Sequence, residues 1–117
     1  MATEKIRIGY KEVDILPSAA RTVSGVSDEF YTYGYNELDA DIKASADTAL
    51  TSLDVEVQRY SPTIKDWVTI GSFTQITSTP SGPEGLPIVV GLGYKCRVKY
   101  TLNGTSITFA VGIVLRV

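Results

Sequence analysis

Apolar and polar residues alternate along much of this chain. Ile6 and Ile8 interleave with Lys5, Arg7 and Gly9, and Leu53, Val55 and Val57 with Asp54, Glu56 and Gln58. Tyr94, Cys96, Val98 and Tyr100 oppose Lys95, Arg97, Lys99 and Thr101, and Ile107, Phe109, Val111, Ile113 and Leu115 form one unbroken apolar row. Successive side chains of a strand face opposite ways, so a period of two predicts half-buried strands. Enrichment in β-branched and aromatic residues between Gly, Pro, Asn and Ser supports that reading. Asn103-Gly104 separates two such runs and tolerates the positive φ of a tight turn, which predicts a C-terminal β-hairpin. The other face of the last run carries Thr108, Ala110, Gly112 and Val114, small enough for a neighbour to pack close.

Residues 36–50 are ambiguous. Leu38, Ile42, Ala46 and Leu50 recur at helical spacing behind Asn36 as a cap. Yet Leu38, Ala40, Ile42 and Ala44 also alternate with Asp39, Asp41 and Lys43, and strands on both sides favour a strand ending near Ala44. Residues 17–34 read as a long connection with short extended pieces, and the Pro/Gly-rich stretch from Ser78 to Pro87 as a loop. The fold expected is all-β, an antiparallel β-sandwich with long N-terminal connections and a C-terminal β-hairpin. It forms one domain over 1–117, with an extended segment and loop over 1–34 and the main strands over 35–117. No helical crossover recurs, which disfavours a parallel α/β sheet.

At 117 residues, 44% hydrophobic and 21% charged, the chain has material for one core. A net charge of −2 gives no basic footprint for nucleic acid and no attraction to anionic membranes. Charges precede any long apolar run in MATEKIRIGYKEVDIL, so neither a signal peptide nor a spanning segment is expected. Cys96 is the one cysteine, which excludes an internal disulfide and fits folding in a reducing cytosol.

The chain has no histidine. That removes the commonest general base and transition-metal ligand, and with them Ser or Cys hydrolysis on a His partner. Cys96 falls on an apolar face and reads as a small buried hydrophobe. Asp39 with Asp41, and Asp54 with Glu56, each place two carboxylates on one strand face, about 7 Å apart. Glycoside hydrolysis or a calcium site would suit such spacing, but so does the wet side of a sheet. No enzyme, cofactor or metal site is expected. Asn103-Gly104-Thr105 matches a glycosylation acceptor but reads as a turn, and Gly91-Leu92-Gly93 is too short for a dinucleotide fingerprint. Trp67 opens a strand after the turn SPTIKD, as core filling or as a sugar-stacking platform with Tyr60. Phe30, Tyr31, Tyr33 and Tyr35 crowd a loop-like segment, where they close one end of the sandwich or contact another subunit.

Leu53 to Gln58 as Leu-Asp-Val-x-Val-Gln, Trp67, Phe73 to Ile76, Tyr94 to Val98 as an aromatic strand ending in Arg-Val, and Gly104 to Phe109 together resemble small β-sandwich virion proteins of tailed bacteriophages and prophages. The upstream stretch from Ala20 to Ser45 fits the same pattern, so the resemblance spans most of the chain. Its motifs encode strand packing and turns. It implies a structural role in the virion: head decoration, a minor capsid component or a tail-associated piece, made in the host cytoplasm. The implied partners are other virion proteins, major capsid or tail subunits, and further copies of the chain in a homo-oligomer. Candidate interface residues are Ile6, Ile8, Phe30, Tyr31, Tyr33 and Tyr35. The alternative is a tail-associated carbohydrate- or receptor-binding module that stacks its ligand on Tyr60 and Trp67.

Overall fold

The computed structural model describes residues 3–89 and 91–117. It is all-β, with eight strands and no helix among the described residues. They are β1 (Thr3–Arg7), β2 (Tyr10–Arg21), β3 (Gly25–Val26), β4 (Phe30–Tyr31), β5 (Glu37–Ser61), β6 (Asp66–Ser72), β7 (Ser81–Ile88) and β8 (Lys95–Arg116). Every pairing is antiparallel.

The fold is built on one long ribbon. β5, 25 residues, and β8, 22 residues, stay paired from Glu37↔Arg116 to Arg59↔Cys96, with register shifts at Ala44/Ala46 and Leu50/Ser52. Each strand buries alternate residues at both ends and exposes its middle. β5 turns Leu38, Ala40, Ile42 and Ala44 inward, then Leu53, Val55 and Val57. β8 buries Cys96 and Val98, then Ile107, Phe109, Val111, Ile113 and Leu115. The inward set changes parity between the two ends of both strands, from even to odd positions.

The two halves of the ribbon organise two layers. In the first, β1, β2, β8 over 107–116, β5 over 37–44 and β7 lie side by side. In the second, β3 and β4 flank β8 over 95–100, followed by β5 over 56–61 and β6. Residues from both layers form a single core, which Phe73 and Ile76 close beyond β6. The layers meet closely where β6 faces β7: a Cβ on Gly71 would lie 2.9 Å from Ile88 Cδ1. β2 slips register on both sides of Leu16, and Arg21 compensates by donating to the carbonyls of Pro17, Ala19 and Phe109.

Three expectations are corrected. No hairpin turns at Asn103-Gly104; β8 runs through it, with Gly104 opposite Leu50 and Asn103 opposite Ser52. Gly104 does take a positive φ, +138°, but spends it on the ribbon's bend. A Cβ there would lie 2.6 Å from the Ala49 carbonyl oxygen, so the backbones approach as only glycine allows. The strand over residues 36–50 is real, but it does not stop near Ala44; a register shift marks that point and the chain continues. The Ser78–Pro87 loop is largely strand: β7 pairs β5 from Ala44↔Ser81 to Leu38↔Ile88. Its prolines are tolerated because an edge strand needs no donor on its outer side. Within the connection expected over residues 17–34, β2 extends to Arg21, and the short pieces β3 and β4 follow.

Candidate functional site

At one end of the molecule the β1–β2 hairpin meets the tyrosine-rich segment. Antiparallel partners share a face, so Glu4 and Ile6 lie on the same face of layer one as Val13 and Lys11, their partners in β2. Lys11 is buried, and its ammonium donates to the Tyr31 carbonyl at 3.2 Å and pairs with Glu4 Oε2 at 3.2 Å. One lysine thus ties β1, β2 and β4 together. Around it, Ile6 is 65% exposed, Ile8 fully exposed, Tyr31 63% and Tyr33 78%. Val117, also exposed, joins Ile8 at the tip, where its N–H donates to the Gly9 carbonyl. Four of the six candidate interface residues are therefore available to a partner. Phe30 is not: it is 1% exposed and fills the core from β4. Tyr35 is half-buried against that core.

The outer face of layer two carries the other candidate. Tyr60 opposes Trp67 across β5 and β6, their ring centroids 5.3 Å apart and edge-to-face. Trp67 is half-exposed and lies outside the core. Lys95 Nζ stands 4.6 Å over the Tyr60 ring, and Tyr31 pairs with Lys95 from β4. Arg97 Cζ lies 4.3 Å over Trp67, and its Nε donates to Gln58 Oε1 at 2.9 Å. Glu29 accepts from Lys95 at 2.9 Å and holds that ammonium above its usual pKa. The sequence pointed to Tyr60 and Trp67 but not to Lys95 and Arg97, whose strand-face position looks the same whether or not an aromatic lies beneath. Cations over one ring face narrow the surface left for stacking a neutral sugar. Arg97→Ala is expected to shift Trp67 emission while costing less than about 1 kcal/mol in stability, measured by fluorescence and urea unfolding.

Asp39, Asp54 and Glu56 of the paired carboxylates have structural partners. Asp54 accepts from Gln75 Nε2 at 3.0 Å and Glu56 from Gln58 Nε2 at 3.1 Å. Asp39 pairs with Arg116, which also meets Glu37 at 3.5 Å. Among the described residues no cluster of three His, Cys, Asp or Glu is placed to hold a metal, and no helix is long and apolar enough to cross a membrane. A groove of ≈ 510 Å³ runs over the outer face of layer one, lined by Lys5, Glu12, Asp14, Asp41, Gly112 and Val114. The small-residue face of β8 foreshadowed its floor. Its acidic walls come from different strands and were not grouped by the sequence.

Cys96 is buried beside Thr32, and its thiol donates to the Leu92 carbonyl at 3.2 Å. Burial pushes the thiol up to about 12. The folded protein is expected to resist a thiol reagent at pH 8 and to react once unfolded. Because the unfolded thiol ionises near pH 9, stability contributed by this group is intact below pH 9 and falls as the pH rises toward 12. Equilibrium unfolding across that window checks the sign.

No family model matches the chain, and no curated protein sequence matches it. Solved structures do. The SPBc2 prophage-derived protein YomS is 18% identical, with a TM-score of 0.57 over 95% of this chain and 98% of that one. PirA is 21% identical, with a TM-score of 0.51 over 85% and 93%. The carbohydrate-binding module CBM4 is 16% identical, with a TM-score of 0.51 over 98% and 74%. The chain is a β-sandwich. At these identities the likeness carries the fold and no further.

Proposed function

We propose that this chain is a non-enzymatic phage virion protein, a capsid decoration or minor head component that docks on other virion subunits and stabilises the particle. The observation that carries the reading is the end formed by Ile6, Ile8, Tyr31 and Tyr33, large apolar and aromatic groups left exposed beside a core that is already filled. Tyrosine and isoleucine there bury area at low cost when a partner arrives. The likeness to a prophage-derived protein over nearly the whole of both chains supports the setting. Assembly as a homo-oligomer on the head is part of the same reading.

The test is to locate the chain in purified particles of the phage that encodes it. Imaging is expected to find it on the head, and Ile8→Ser with Tyr33→Ser is expected to weaken its retention at least tenfold with the fold intact. Absence from particles would refute the reading. A second reading is a tail-associated carbohydrate- or receptor-binding module, favoured by the Tyr60–Trp67 pair on the outer face of layer two. A glycan that shifts Trp67 emission at micromolar concentration would put it first.

A further inference from the structure

We infer that the free edge of β1 is a strand-addition site for an extended segment of another chain in which Asp or Glu alternates with apolar residues. This deepens the docking reading and rests on it for the source of the partner. β1 pairs with β2 on one side, and among the described residues no strand pairs with its other side. All five of its residues are exposed. A bare edge offers unpaired N–H and C=O groups to another strand. The far edge of the same layer is guarded, because β7 carries Pro83 and Pro87.

The side chains of β1 select the partner. Thr3, Lys5 and Arg7 lie on the outer face, and Glu4 and Ile6 on the inner one. Among the described residues neither Lys5 nor Arg7 forms an ion pair, whereas Glu4 is engaged by Lys11. A second copy of β1 fits poorly. A two-fold axis through the sheet opposes residues of equal parity, so only three registers pair three or more residues of β1 with themselves. Centred on Lys5, the axis sets Lys5 against Lys5. Centred on Ile6, it sets Lys5 against Arg7 twice. Centred on Glu4, it sets Glu4 against Glu4. Like charges directly opposite destabilise a ladder, so every symmetric register is penalised. A partner with acids two residues apart places one against Lys5 and one against Arg7, and its intervening apolar residue then covers Ile6 on the inner face.

The probe is a capped seven-residue peptide alternating valine with glutamate, titrated into the whole isotope-labelled chain at low salt. Amide resonances of residues 3–7 are expected to shift and to gain exchange protection. Affinity is expected to exceed that for the valine–lysine peptide at least tenfold and to fall with added salt. In a variant carrying Lys5→Gln and Arg7→Gln, both at exposed positions, the preference is expected to disappear while the melting temperature holds. Equal binding of both peptides, no shift at β1, shifts at another edge, or dimerisation through β1 would each overturn the inference. Particle imaging reads the docking proposal separately, so a chain that binds the peptide but is missing from particles keeps its edge site and loses its virion setting.

Discussion

Phe30→Ala is expected to lower the unfolding free energy by about 3–5 kcal/mol, the usual cost of emptying a fully buried phenylalanine site. For a domain of this size that is a fall in Tm of roughly 12–20 °C, at about 4 °C per kcal/mol. Phe30 anchors the short strand β4 opposite Cys96, so its loss also frees the segment that presents Tyr31 and Tyr33. Tyr33→Ala, by contrast, removes an exposed ring and is expected to change stability by no more than about 0.5 kcal/mol. Thermal unfolding of the two variants side by side separates core from surface within one aromatic cluster. Equal and small effects would contradict the burial of Phe30.

Gly104→Val is expected to cost about 3–4 kcal/mol, through the positive φ that valine resists and the backbone contacts its Cβ would force. The nearest atoms are Ala49 O at 2.6 Å, Leu50 Cα at 2.9 Å and Thr51 N at 3.1 Å, all backbone, so no side chain can swing aside. Asn103→Ala is expected to cost about 1 kcal/mol, because Asn103 contributes one part-buried hydrogen bond to Ser52 Oγ and has no positive φ. A type I′ hairpin would need positive φ at both residues. Chemical denaturation of the pair therefore distinguishes a bent ribbon from a tight turn: similar large losses at both positions would favour the turn.

Strands were legible in the sequence because alternation records burial directly. Leu53 to Val57, Cys96 to Val98 and Ile107 to Leu115 all bury the residues their pattern assigned. Connectivity was not legible, because alternation does not record whether the chain reverses between two runs. The switch from even positions before Asn103 to odd positions after it appears equally in a hairpin and in a kinked strand. β7 was hidden by Pro83 and Pro87, which mark turns in isolation but sit without penalty on an edge. At the N-terminus alternation misled: Ile6 and Ile8 read as the buried side of a half-buried strand, yet both are exposed because β1 is an edge strand with nothing packed over it, and Phe30 could not be told from its tyrosine neighbours by composition. Lys11 shows the reverse case. Its alternation places it on the inward face, and only the fold supplies Glu4 and the Tyr31 carbonyl that make a buried ammonium tolerable.

Amide hydrogen exchange of the chain, free and assembled on particles, tests the docking account most directly. Protection gained over residues 3–8 and at Tyr33, with little change from Tyr60 to Trp67, is the result it expects. Protection centred on Tyr60, Trp67 and Arg97, with residues 3–8 exchanging as in the free chain, would contradict it.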